Sequence, residues 1–429
     1  MTRPGYQALD RLFLLFTRVQ PGEARPAIAL LLTIFILLLT YYLLKPVREA
    51  LILTNGTAEL RSYAIAAQGI TLAFIIPVYS YCLKRWGGQR LVQGITLFFA
   101  LNLLIFYGLL QADLAIGFLF FIWLGIFSVM VVAQFWAMAA DLYKTESGLR
   151  MFAPVAVGGS LGAVFGSQLS KQLYQYLGTD NLLLLACATL ILSLLPSYYA
   201  RRALTKDLRN ADDIPNKVFN GFRLVMKNSY LLWIAVFVII LNWINSTGEY
   251  LLARFVTANY LDSGISLSKA EYIGQFYGDF YSWVNILSLG IQLFLVSRLF
   301  RWIGVGRCML VLPLIAVIGY GLMAFFPVFT LIKVVKILEN STDYSLQNTT
   351  RHALFLPLET HAKYAGKTTI DTFFWRFGDL IQALFIFAGT QYWQWSIQNF
   401  ALFNFALAIM LLLVAIYIKQ LYKQLPQTA

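Results

Sequence analysis

The sequence predicts an all-α, polytopic membrane protein with twelve transmembrane helices in two pseudo-symmetric six-helix halves. Three observations carry that expectation. First, 59% of the 429 residues are hydrophobic and only 12% are charged. A soluble domain is nearer half apolar and a quarter charged, so its surface would need about twice the charge present. This excludes a soluble enzyme, a disordered chain and a nucleic-acid-binding domain, despite the net charge of +13. Second, the apolar residues form continuous runs of roughly 20, the length of a helix across a bilayer, without the short alternation of a barrel strand. Third, one long polar stretch, 201–228, divides these runs six and six.

In chain order, a polar N-terminal segment, 1–25, comes first. Within it residues 9–19 mix Leu, Phe and Arg, which reads either as an interfacial amphipathic helix or as a loosely attached tail. The runs 26–46, 63–83, 91–111, 114–140, 152–171 and 181–200 make an N-terminal bundle, 26–200. After the 201–228 linker, the runs 230–255, 272–297, 308–326, 328–350, 367–390 and 396–418 make a C-terminal bundle, 229–418, followed by a tail, 419–429. Helices are required because each run must satisfy its own backbone in lipid. No small-residue cleavage site follows the first run, so no cleavable signal peptide is expected. Lys and Arg crowd alternate loops, while the loops after the third, ninth and eleventh runs have none. Basic loops stay inside, which predicts a multi-pass protein of the inner (cytoplasmic) membrane with both termini cytoplasmic.

The halves echo one another. Leu83-Lys84-Arg85-Trp86-Gly87-Gly88-Gln89-Arg90 follows the second run, and Leu299-Phe300-Arg301-Trp302-Ile303-Gly304-Val305-Gly306-Arg307 follows the eighth. A basic, glycine-containing loop after the second helix of each half fits a duplicated six-helix unit. The arrangement resembles the major facilitator architecture. That resemblance implies that helices 1, 4, 7 and 10 surround a central pathway.

Charged residues inside spans are the functional candidates, because each costs several kcal/mol unless it faces a partner or water. On the tenth run, Lys333, Lys336, Asn340, Asp343 and Gln347 fall within an arc of about 80°. Such a stripe lines a cavity or, in the alternative, forms internal salt bridges such as Lys336 with Glu339. On the eleventh, Asp371, Trp375, Asp379 and Gln382 share a face, with Arg376 further round. The seventh groups Asn242, Asn245, Ser246 and Glu249. The first ends with Tyr41, Lys45 and Arg48 on one face and Glu49 beside them, and Pro46 is expected to break or kink it. The fourth run offers Gln134, Trp136 and Asp141, and the eighth Gln275, Asp279, Ser282 and Asn285.

The candidate substrate-binding residues are therefore Lys45, Arg48, Tyr41, Asn245, Glu249, Lys336, Asn340, Asp343, Asp371 and Trp375, with Trp375 or Tyr41 as a face for a ring. Glu249, Asp279, Asp343, Asp371 and Asp379 are candidates for ion coupling. Seven cations in or beside spans (Lys45, Arg48, Lys171, Arg254, Lys333, Lys336, Arg376) meet seven carboxylates (Glu49, Glu249, Asp279, Glu339, Asp343, Asp371, Asp379). The cations either clamp phosphate or neutralise these carboxylates. Gly158, Gly162 and Gly166 form a small-residue ridge for close helix packing.

Other patterns carry no chemistry. Gly366-Lys367-Thr368 ends like a phosphate-binding loop, but His361 stands where its first glycine belongs. Asn55-Gly56-Thr57 is a glycosylation sequon by pattern alone. Cys82, Cys187 and Cys308 form no framework, and His352 and His361 are too few for a metal site. No metal and no cofactor is expected. The expected partners are a small-molecule substrate and the lipid bilayer, with no nucleic acid and a monomeric chain.

Several segments resemble the ATP/ADP antiporter family, the nucleotide carriers of intracellular bacteria and plastids with relatives in other bacteria. They are Tyr41-Tyr42-Leu43-Leu44-Lys45-Pro46-Val47-Arg48-Glu49-Ala50-Leu51, Phe135-Trp136-Ala137-Met138-Ala139-Ala140-Asp141-Leu142 and Gly158-Gly159-Ser160-Leu161-Gly162-Ala163. Asp343-Tyr344-Ser345-Leu346-Gln347-Asn348-Thr349-Thr350-Arg351 and Lys363-Tyr364-Ala365-Gly366-Lys367-Thr368-Thr369-Ile370-Asp371 complete the set. The resemblance implies a facilitator-like fold and exchange of nucleotides or related phosphorylated anions, with Lys45 matching the family's helix 1 phosphate-binding lysine. The sequence departs from the established carriers after that lysine, reading Pro-Val-Arg-Glu where they have an Asp-Thr pattern, and in this it resembles the free-living bacterial branch. Two further readings remain: a proton-coupled exporter of an unrelated small molecule, and a non-transporting membrane scaffold or sensor.

Overall fold

The computed structural model describes residues 24–86, 88–143, 145–204, 218–264, 266–359 and 365–425. Residues 9–19, the middle of the linker (205–217), Lys144, His361, Lys363 and the end of the tail lie outside that set, as do the side chains of Lys84, Arg85, Arg90, Asp141 and Arg150. Among the described residues the chain is helical, with no strand. Eight helical runs are long and apolar enough to cross a membrane.

The first helices are α1 (Ala24–Asn55), α2 (Ala58–Trp86), α3 (Gly88–Gln111) and α4 (Gly117–Leu142). Next come α5 (Thr145–Leu192), α6 (Leu194–Leu204), the short α7 (Val218–Lys227) and α8 (Ser229–Ser263). They are followed by α9 (Lys269–Ile303) and α10 (Val305–Phe325). The next helix, α11, runs as Phe329–Thr342, a π turn Asp343–Gln347 and Asn348–Ala353. Helix α12 comprises Lys367–Thr369, a π turn Ile370–Phe374 and Trp375–Gln391, and α13 is Ile397–Gln424. The polar residues of α11 and α12 dilute their apolar content, which keeps both out of the eight most apolar runs.

Local chemistry explains the main departures from an unbroken rod. The expected break at Pro46 does not occur, and α1 continues past it to Asn55. Every residue from Tyr42 to Leu53 is buried, so packing on all sides holds the helix although the proline lacks one donor. The long α5 run turns at Gly178, whose φ of 67° and ψ of −173° suit only glycine. Asn228 caps α8, its side chain accepting from the Leu231 backbone N–H at 3.2 Å.

Contacts gather the chain into two units. The first joins α1, the chain from Ile70 through α6, and Leu267–Ser282. Its main seam lies between α1 and α5. A methyl group on Gly158, Gly162 or Gly166 would strike the carbonyl oxygens of Leu31, Phe35 and Leu39 in turn. Both helices step by four residues, so bare backbone faces backbone along the seam.

The second unit joins Gly56–Gly69, α7, α8 and the chain from Trp283 onward. Here α8 packs against α12 and α13, and α10 against α13. Helix α2 thus begins in the second unit and continues in the first, whereas α9 begins in the first and continues in the second.

Candidate functional site

In the first unit, the stripe at the end of α1 forms a compact ionic and aromatic cluster. Lys45 is 6% exposed. Its ammonium lies over the rings of Tyr41, Tyr42 and Tyr281, at 5.9, 5.1 and 4.0 Å from their centroids. Ring quadrupoles keep a buried ammonium charged where water does not reach it. Arg48 lies 4.2 Å over the Phe121 ring and donates to Glu49, its Nε–H at 3.1 Å. Glu49 is fully buried and accepts the Tyr281 hydroxyl at 3.3 Å. Tyr281, on the first part of α9, therefore touches both the cation and the carboxylate of the cluster. Also in this unit, Asp279 pairs with Lys171 in a half-exposed contact.

In the second unit, the four polar residues of α8 do not act together. Asn242 and Ser246 turn to α12 and donate to Asp379 at 2.8 and 3.1 Å. Arg376 donates to the same carboxylate at 3.2 Å. Gln382, one turn on, donates to the Ser62 hydroxyl at 3.2 Å.

Asn245 and Glu249 turn to α11. Glu249 accepts from Arg61 at 3.0 Å and from the Asn340 amide at 2.8 Å, and lies 3.8 Å from the Lys336 ammonium. Lys336 is fully buried and donates to Glu339 at 2.9 Å and to Asn245 at 3.2 Å. The Tyr320 hydroxyl donates to Glu339 at 2.8 Å. Two cations and two carboxylates thus balance in a desolvated network, the condition under which buried charge is tolerated. Gly248 makes room for it: a Cβ there would stand 2.8 Å from the Lys336 ammonium. The Lys336–Glu339 salt bridge, one of the two readings of the α11 stripe, is present.

The rest of that stripe does other work. Asp343 and Gln347 border a cavity of about 290 Å³, with Arg351, Trp375 and Leu241 among its other walls. The π turns explain the division, since an extra residue in a turn rotates everything after it by roughly 100°. One π turn begins at Asp343, and another, Ile370–Phe374, precedes Trp375. The Arg351 guanidinium lies 4.6 Å over the Trp375 ring and 3.8 Å from the Asp371 carboxylate. Asp371 and Trp375 thus meet Arg351, while Asp379 on the same helix serves α8.

Sequence reasoning did not single out Arg61, Tyr281 or Tyr320, and it left Arg351 as a loop charge. Arg61 stands just before the predicted 63–83 run, among residues read as loop, yet it is 3% exposed. Among the described residues no group of His, Cys, Asp and Glu is arranged to hold a metal ion.

Comparison with known proteins places this geometry. ADP,ATP carrier protein 1 of Chlamydia pneumoniae is 24% identical over 303 residues, covering 58% of this chain and 56% of the carrier. The chain's match therefore spans little more than half the length of that carrier. The protein of the same name from Chlamydia muridarum is 23% identical over 457 residues, covering 88% of this chain and 84% of the carrier. The fold is similar to the crystal structure of nucleoside transporter NupG (TM-score 0.69, 13% identity, 92% of this chain and 99% of that one). It is also similar to a POT family transporter in complex with 5-aminolevulinic acid (TM-score 0.66, 12% identity, 93% and 96%). Residues 29–338 match the family profile of the Major Facilitator Superfamily. With apolar helices of membrane-spanning length and a transporter fold, this multi-pass chain belongs to the Major Facilitator Superfamily of membrane transporters.

Proposed function

We propose that the chain exchanges nucleotides, or closely related phosphorylated anions, across the cytoplasmic membrane by alternating access. The observation that carries this reading is the pair of buried cationic centres, Lys45 with Arg48 on α1 and Lys336 on α11. The names of the relatives, ADP,ATP carrier proteins, supply the substrate class.

Phosphate oxygens are strong acceptors for Lys and Arg, and a low-dielectric site strengthens each such contact. An arriving phosphate chain takes over the role that Glu49 and Glu249 play toward these cations. Each centre then swaps one anionic partner for another without leaving a charge bare. Tyr41, Asn245 and Asn340 orient the anion. Glu249, Asp279, Asp343, Asp371 and Asp379 are the candidate coupling carboxylates. The halves 26–200 and 229–418 alternate access around the substrate, joined by the 201–228 linker. Both termini are on the cytoplasmic side in this reading.

Nucleotide titration of purified protein tests the site. Lys45→Ala and Lys336→Ala are each expected to weaken ATP binding about tenfold or more, one lost charge-assisted contact being worth some 1.5–3 kcal/mol. Unchanged affinity in both variants removes these residues from the site. Failure of the wild type to bind any nucleotide removes the substrate class.

A further inference from the structure

The cavity of about 290 Å³ in the second unit holds a group that the transport reading leaves unused. Gln347 borders it, is 1% exposed, and has no hydrogen-bond partner for either its amide nitrogen or its amide oxygen. Leaving buried polar atoms unpaired is costly, and native proteins do it rarely. Gln347 also closes the π turn Asp343–Gln347, a backbone form that recurs at functional sites.

The neighbouring donor is already engaged. Arg351 donates to the Asn348 side chain at 3.3 Å, faces Asp371 at 3.8 Å and covers the Trp375 ring. The cavity wall therefore offers a flat guanidinium–indole platform beside one uncommitted amide. That amide presents a donor and an acceptor side by side.

A planar heteroaromatic ring with an adjacent donor and acceptor on one edge complements this wall. Rings stack on guanidinium planes and aromatic faces. A glutamine amide pairs in two-point fashion with the N6 and N7 of adenine. Guanine shows two acceptors on the same edge, which suits a free arginine and would leave the Gln347 carbonyl unpaired. Cavities of about 300 Å³ and above are the usual size for small-ligand sites.

We propose that this cavity is an adenine subsite, in which Gln347 reads the edge of the base and Arg351 on Trp375 supports its face. The proposal rests on the nucleotide reading above and deepens it, assigning the base end of the substrate to α11 and α12.

Calorimetric titration of the purified full chain with ATP, GTP and inorganic tripolyphosphate tests it. Wild type is expected to prefer ATP to GTP. Gln347→Met, which keeps the bulk and removes the amide, is expected to weaken ATP about 10- to 100-fold, to erase the preference over GTP and to leave tripolyphosphate unchanged. Should that variant melt early, Gln347→Asn serves instead. It keeps an amide but draws it back by one methylene, and the same loss for ATP alone is expected. Unchanged ATP affinity in a folded variant overturns the subsite while leaving nucleotide binding intact. Equal losses for ATP and tripolyphosphate overturn base reading as the role of Gln347. Absence of any nucleotide binding by the wild type overturns the parent reading and the subsite with it.

Discussion

The principal seam of the first unit and that of the second are built by opposite means. Along α1 and α5, Gly158, Gly162 and Gly166 let backbone meet backbone, and the contact carries no charge. Between α8 and α11, Glu249, Lys336, Glu339 and Asn340 meet through hydrogen bonds and ion pairs, with Arg61 joining from the start of α2. The glycine seam draws its strength from many small dispersion contacts, each easily replaced. The ionic seam depends on a few charges that all need one another. A substrate anion has no purchase on the first and competes directly in the second. The difference teaches where stability and function separate: a variant in the glycine seam should injure packing, and one in the ionic seam should injure both packing and binding.

The largest expected effect is at Glu249. Glu249→Ala leaves Arg61 and Lys336 facing each other without their shared carboxylate, and is expected to cost about 3–5 kcal/mol. Thermal unfolding in detergent measures it. The double variant Glu249→Ala with Arg61→Ala is expected to recover part of the loss, because the two residues are coupled. Simple additivity would break the contrast between the seams.

A smaller effect is expected in the glycine seam. Gly162→Ala drives a methyl group into the Phe35 carbonyl, and overpacking of this kind costs about 1–3 kcal/mol. Gly159→Ala is the internal control, since its new carbon meets only the side chains of Ile34 and Leu38, at 3.3 and 3.8 Å. Lower melting for Gly162→Ala than for Gly159→Ala, with ATP affinity kept in both, sharpens the separation of packing from binding. Equal melting would show that the seam is not close-packed.

The smallest effect is at Asp279. Its pairing with Lys171 is partly exposed on both sides, so Asp279→Asn is expected to change stability by no more than about 1 kcal/mol. The informative readout is transport under an imposed pH gradient. Loss of gradient-driven flux at unchanged stability would assign Asp279 to coupling, and unaltered flux would leave it a structural pair.

How much of this was legible in the sequence follows the same division. The α1 stripe of Tyr41, Lys45 and Arg48 could be read from helical spacing, as could the glycine ridge, because both depend on one regular helix. Tyr281 could not be read, since its tie to Lys45 and Glu49 is made by the fold. Arg61 was hidden because a charge at the edge of an apolar run reads as loop until its partner is known. The α11 stripe was half legible. Its members before Asp343 keep their spacing, and Glu339 was visible as a partner for Lys336. Beyond Thr342 the π turn shifts the register, and no glycine or proline in Asp343–Gln347 announces it. The same holds for Ile370–Phe374, which sends Asp371 to Arg351 while Asp379 serves α8.

The central claim is exchange, and counterflow in liposomes tests it most directly. Purified protein is reconstituted into vesicles either loaded with ADP or empty, and entry of labelled ATP is followed. The account predicts rapid uptake into ADP-loaded vesicles, little into empty ones, and loss of uptake in Lys45→Ala. Uptake that ignores internal ADP but follows a pH gradient would contradict it in favour of proton coupling, and absence of flux under every condition would contradict transport of nucleotides altogether.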